Sequence, residues 1–88
     1  MSIRITRTTE ARKTVLRVDG QLTSEDLEEL AREYRSVQGS LALELTDLRS
    51  ADPAGVAVLQ DLVGLGAEIR GASPYIELLL KRPSKTED

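Results

Sequence analysis

The stretch SLALELTD, residues 40–47, constrains this chain more than any other. Leucine returns at every second position, as Leu41, Leu43 and Leu45, with Ala42, Glu44 and Thr46 between. A period of two places the leucines on one face of a β-strand and the intervening residues on the other. Strands covered on both faces read as unbroken apolar runs, whereas this one alternates. Its sheet is therefore expected to carry helices mainly on one face.

The rest of the chain supplies the partners for such a strand. IRITRT sets Ile3 and Ile5 against Arg4 and Thr6, and TVLRVDG repeats the alternation with Leu16 and Val18. The polar stretch TEARK between them predicts a hairpin. Thr23, with Asp26 three residues on, forms a variant capping box for a first helix. Leu27, Leu30, Ala31, Tyr34 and Val37 then follow helical spacing, with Glu28, Glu29, Arg32, Glu33 and Arg35 outward and Gly39 as the stop. A second helix is expected from Pro53 to about Leu65, then a short strand in AEIRG. A third helix opens at Ser73-Pro74, with Ile76, Leu79 and Leu80 turned inward. The order ββαβαβα implies parallel pairing after the hairpin. The expected fold is α/β, a mixed four-stranded sheet with helices mainly on one face. It forms one domain over residues 1–81, and residues 82–88 are read as a flexible C-terminal tail.

Composition narrows the chemistry. With no cysteine and no histidine, the chain lacks thiol chemistry, the commonest general base and the commonest metal ligand. Tyr34 and Tyr75 are its only aromatics, too few for stacking platforms on single-stranded nucleic acid. Net charge is −3; residues 1–20 hold five Lys/Arg against two acids, and residues 21–69 three against ten. So acidic a middle disfavours DNA and RNA as partners. No apolar run has signal-peptide or membrane-spanning character, so a cytoplasmic protein without direct membrane insertion is expected. Gly64, Gly66 and Gly71 fit neither a dinucleotide fingerprint nor a Walker loop. Asp47 and Asp52 are a pair of carboxylates without a third ligand or a nucleophile, better suited to turn and cap roles. No catalytic constellation, cofactor or metal site is expected.

The segment RSADPAGVAVLQ, residues 49–60, stands out. Asp52 is a suitable N-cap and Pro53 a suitable first helical residue. Beyond the cap, Val58, Leu59, Leu62 and Leu65 form an inward stripe. Ala54, Ala57, Asp61 and Gly64 then fall on the outer face, with Gln60 at its margin. An outer face this small and nearly uncharged suits close docking of another protein. The candidate partner-binding residues are Asp52, Pro53, Ala54, Gly55, Ala57, Gln60, Asp61 and Gly64.

From Leu16 to Leu80, LRVDGQLT, LALELTDLRSADPAGVAVLQDL and AEIRGASPYIELLL together resemble the STAS domain of bacterial anti-sigma factor antagonists. Asp47 matches the strand-end Asp of that family. Asp52 and Gly55 match the Asp and Gly of its Asp-Ser-Ser-Gly-Leu type motif, and Val56 stands in for the Leu. The resemblance implies a protein partner, an anti-sigma factor-like regulator, and partner switching by phosphorylation of the motif's second Ser. Here the two hydroxyl positions are Pro53 and Ala54, a degenerate phosphosite with no oxygen to phosphorylate. Ser50 precedes the cap and does not take over that role. Small STAS proteins are also accessory subunits of bacterial ABC lipid transporters, docking on the ATPase through this region, and DPAG is similar to their motif. Some STAS domains are said to bind nucleotide, against which stand the missing phosphate loop and the acidic surface. A homodimer is left open.

Overall fold

The computed structural model describes residues 3–37 and 39–81. Strand β1 (Ile3–Glu10) and strand β2 (Lys13–Leu22) make the expected hairpin, closed by a two-residue turn in which Ala11 takes a φ of 50°. A single 3₁₀ turn (Ser24–Asp26) leads into α1 (Leu27–Arg35). Then come β3 (Ser40–Glu44), β4 (Leu48–Ala51), α2 (Pro53–Gly64), β5 (Glu68–Arg70) and α3 (Pro74–Lys81). The flexible tail expected at residues 82–88 lies outside the described residues.

The sheet runs β1-β2-β3-β5, antiparallel at the hairpin and parallel thereafter. The mixed α/β architecture with its helices over one face is as expected, but the strands number five, not four. The extra one, β4, pairs in parallel with the end of β2, where Gly20 meets Leu48 and Leu22 meets Ala51. It continues the lane that β3 leaves. A turn closes there as Leu48 N–H donates to the Leu45 carbonyl at 3.2 Å, and the register then shifts past Arg49. Leu45 and Leu48 both stay in the core although three residues apart, because the turn resets the strand's phase.

One core lies between the sheet and all three helices. It joins Leu16, Val18, Leu22, Leu43, Leu45 and Leu48 to Leu30 of α1, Leu59 and Leu62 of α2, and Ile76 of α3. Each such side chain stabilises the fold by about 1.5–3 kcal/mol through burial. Leu79 and Leu80 pack against this core at its edge, as their spacing predicts. Helix α1 ends earlier than expected: Ser36 caps it, and Gly39, at φ +91°, turns the chain into β3 rather than stopping the helix. Among the described residues no helix is long and apolar enough to cross a membrane.

Among the described residues no helix covers the other face of the sheet. Lys13 pairs with Glu68, Arg70 with both Glu68 and Glu10, and Arg17 with both Asp19 and Asp47. Val15 and Ala42, neighbours in register, are nonetheless buried on this face, where long charged side chains lay their aliphatic stems.

Candidate functional site

The start of α2 is built around Asp52. Its backbone is extended, with φ −78° and ψ 174°, which frees the carboxylate to turn back onto the helix. One carboxylate oxygen accepts from Gly55 N–H at 2.8 Å, which is the N-cap bond. The other accepts from Ser24 N–H at 2.9 Å. Asp52 N–H donates to the Leu22 carbonyl at 2.9 Å, and the Asp52 carbonyl accepts from Val56 N–H at 2.9 Å. A single aspartate thus ties the end of β2, the turn before α1 and the first turn of α2 together. Pro53 follows at the first helical position, exposed, where its missing N–H leaves nothing unsatisfied.

Gly55 is buried for a reason of packing. A Cβ on it would lie 2.9 Å from the Leu22 carbonyl oxygen and 3.0 Å from Leu22 Cγ. The helix can start this close to β2 only because that side chain is absent. Asp52 and Gly55 therefore both serve the junction of α2 with β2.

The remaining candidates spread over the outer side of α2. Ala54 and Ala57 are half-buried, while Asp61 and Gly64 are exposed. At Gly64 a Cβ would meet nothing within 4 Å. Gln60 turns toward α3, where its side-chain amide donates to the Leu80 carbonyl at 3.0 Å, so part of its polarity secures the last helix. Leu59 and Leu62 point inward and Val58 is half-buried, as expected. Leu65 does not point inward: it is 79 % exposed, at the C-cap just past the last residue of the helix. With Val63, 43 % exposed, it adds apolar surface at the C-terminal end of α2 that the helical spacing missed. The paired glycines at 64 and 66 are the signal that could have located it.

Asp47 and Asp52 do not act as a pair. Asp47 engages Arg17 on the open face of the sheet, whereas the Asp52 carboxylate is taken up by backbone N–H groups at α2. Asp19 first, and Asp47 second, hold the Arg17 guanidinium above its ordinary pKa. Among the described residues no group of three or more His, Cys, Asp or Glu is placed to hold a metal ion. Ser50 sits in β4 opposite Gln21, on the strand side of the cap. An open cleft of about 710 Å³ lies nearby, lined by Asp19, Gln21, Asp47 and Arg49 among others.

This arrangement is a mixed sheet backed by three helices, with an aspartate-capped α2 set tightly against the end of β2. It is similar to the crystal structure of an antisigma-factor antagonist, a STAS domain from Rhodobacter sphaeroides, at a TM-score of 0.61. The chain has the STAS fold. The likeness covers 83 % of this chain and 94 % of that one at 23 % sequence identity, and at that identity it is a likeness of fold. No family model matches the sequence. No curated protein matches it either.

Proposed function

We propose that this STAS-fold chain is a non-catalytic protein-binding module that docks its partner on the first turn and outer face of α2, in the manner of an anti-sigma factor antagonist. The observation that carries this reading is Gly64. It is the last residue of α2, exposed, with open space where its side chain would be, so packing within the fold does not require a glycine there. Glycine in a helix is less stable than alanine by about 0.5–1 kcal/mol. A partner backbone that approaches closely supplies the reason, and Ala54 and Ala57 along the same face fit it. The outer face of α1, with Glu28, Glu29, Arg32 and Arg35 exposed, is the opposite kind of surface.

The proposed partner is an anti-sigma factor-like regulator, a reading supported by the name of the similar solved structure. Pro53 and Ala54 carry no hydroxyl, so release of that partner runs through competition or concentration rather than a phosphoryl group at this turn. Substituting Ala57 tests the face. Ala57→Arg places bulk and charge at its centre, and because Ala57 is half-buried the new side chain can reach water. Calorimetric titration against a purified anti-sigma factor from the source organism should show affinity falling by at least about a hundredfold. Glu29→Arg on α1 should leave it nearly unchanged. Circular dichroism checks that both variants fold. Wild-type affinity in Ala57→Arg with loss in Glu29→Arg would move the docking surface to α1. Binding of a transporter ATPase in place of the anti-sigma factor, with the same response to Ala57→Arg, would keep the face and change the partner.

A further inference from the structure

The two edges of the sheet are unequal. At one edge β5 has only three residues, Glu68–Arg70. At the other, β1 runs for eight, and its register with β2 is unbroken from Ile3 opposite Gly20 to Glu10 opposite Lys13. In an antiparallel pair, alternate residues turn their N–H and C=O groups away from the neighbouring strand. On the outer side of β1 no strand of the described residues meets them. Proteins usually blunt such an edge with proline, a bulge, a short strand or charged side chains; of these β1 has only the charges of Arg4, Arg7 and Glu10. Its register with β2 carries no bulge, and Ile3, Ile5, Thr6, Thr8 and Thr9 give it strong β character.

Its charge indicates what would pair there. Arg4 is exposed and has no ion-pair partner among the described residues, and Arg12 is exposed at the hairpin turn. Arg7 lies 3.6 Å from Glu33 of α1. The sole acid of the strand, Glu10, is engaged by Arg70 at 3.1 Å. The edge is thus basic on a chain whose net charge is −3. A second copy would bring an equally basic edge alongside, and the two net positive charges oppose self-pairing. We propose that β1 is a strand-addition site for an extended acidic segment of a partner protein, in which carboxylates alternate with β-branched residues. Main-chain hydrogen bonds would supply affinity, and Arg4 and Arg12 the preference for acidic sequence.

The experiment uses the full chain and three synthetic probes of equal length: an alternating Glu-Val peptide, an alternating Lys-Val peptide, and the Glu-Val peptide N-methylated at alternate residues. Amide exchange is followed by NMR, and affinity by anisotropy of the labelled probes. With the Glu-Val peptide, alternate amides of residues 3–10 should exchange at least about tenfold more slowly, as newly hydrogen-bonded groups do. The Lys-Val and N-methylated probes should give no protection. Arg4→Glu, at an exposed position outside every ion pair, should weaken the Glu-Val peptide by roughly tenfold. Unchanged β1 amides at saturating Glu-Val peptide would overturn the proposal, as would equal binding of the Lys-Val peptide. Protection of the same amides that rises with protein concentration alone would overturn it in favour of a second copy. The probe comparison on the wild-type chain decides the matter even if Arg4→Glu fails to fold.

Discussion

The two faces of the sheet are made by the same strands and hold different things. On the helix side Leu16, Val18, Leu43 and Leu45 are fully buried, and Leu30, Leu59, Leu62 and Ile76 close over them. On the open side Val15 and Ala42 are just as removed from water, yet the residues around them are ion-paired side chains. Burial alone therefore does not say which face holds the molecule together. The helix side removes large apolar areas from water and fills them with close-packed atoms. The open side satisfies charges that remain in contact with solvent, where an ion pair adds little to stability.

Adjacent residues of β3 break or uphold this distinction. Leu43→Ala should destabilise the fold by about 3 kcal/mol or more, as expected when a buried leucine is replaced by a cavity. Its neighbour Glu44, which accepts from the Thr46 hydroxyl at 2.6 Å on the other face, should lose less than about 1 kcal/mol on substitution by alanine. Urea unfolding of both variants gives the two numbers directly. Similar losses would mean that the ion-paired face carries far more of the stability than its exposure allows.

The junction of α2 with the sheet comes next in size. Gly55→Val drives a branched side chain into the Leu22 carbonyl and should cost about 2–3 kcal/mol, read as a lowered urea midpoint. Wild-type stability in this variant would mean that α2 slides away from β2 without loss.

Gly64→Ala should do the reverse. With nothing near its Cβ, and at the last residue of α2, it should raise the stability of the free protein by up to about 0.5 kcal/mol. If α2 docks a partner closely, the same substitution should lower affinity while stability rises. A gain in both would remove the functional argument from Gly64.

Much of this was legible from local pattern. Alternation in SLALELTD marked the covered face, and the Asp52-Pro53 and Ser73-Pro74 pairs marked two helix starts, because caps and strand periods involve residues close in sequence. Ser73 Oγ indeed accepts from Ile76 N–H at 3.2 Å. What sequence reading missed depends on distant neighbours. Strand β4 is a strand because the end of β2 lies beside it. Gly55 is required by the carbonyl of Leu22, and Asp52 reaches Ser24 across the chain. Helical spacing places Asp61 and Gly64 on the outer side of α2, where they are exposed, while Ala54 and Ala57 are half-buried. Leu65 was misplaced because helical spacing was carried one residue past the point where the helix ends.

The smallest effect expected lies on the open face. Glu68 is held below the ordinary glutamate pKa, first by its hydrogen bond from Lys13 and then by that from Arg70. A carboxylate with a depressed folded-state pKa contributes stability above its unfolded pKa, near about 4.3 for glutamate, and loses it as the pH falls through the lower folded value. Glu68→Gln should therefore lower stability slightly at neutral pH and converge with the wild type as the pH falls below about 4.5, which flattens the acid limb of the stability curve. Because both partners are exposed to water, added salt should shrink the difference between variant and wild type. Thermal melts across that pH range, at low and high salt, measure it. A steep acid loss that survives Glu68→Gln and is insensitive to salt would place the sensitive carboxylate elsewhere.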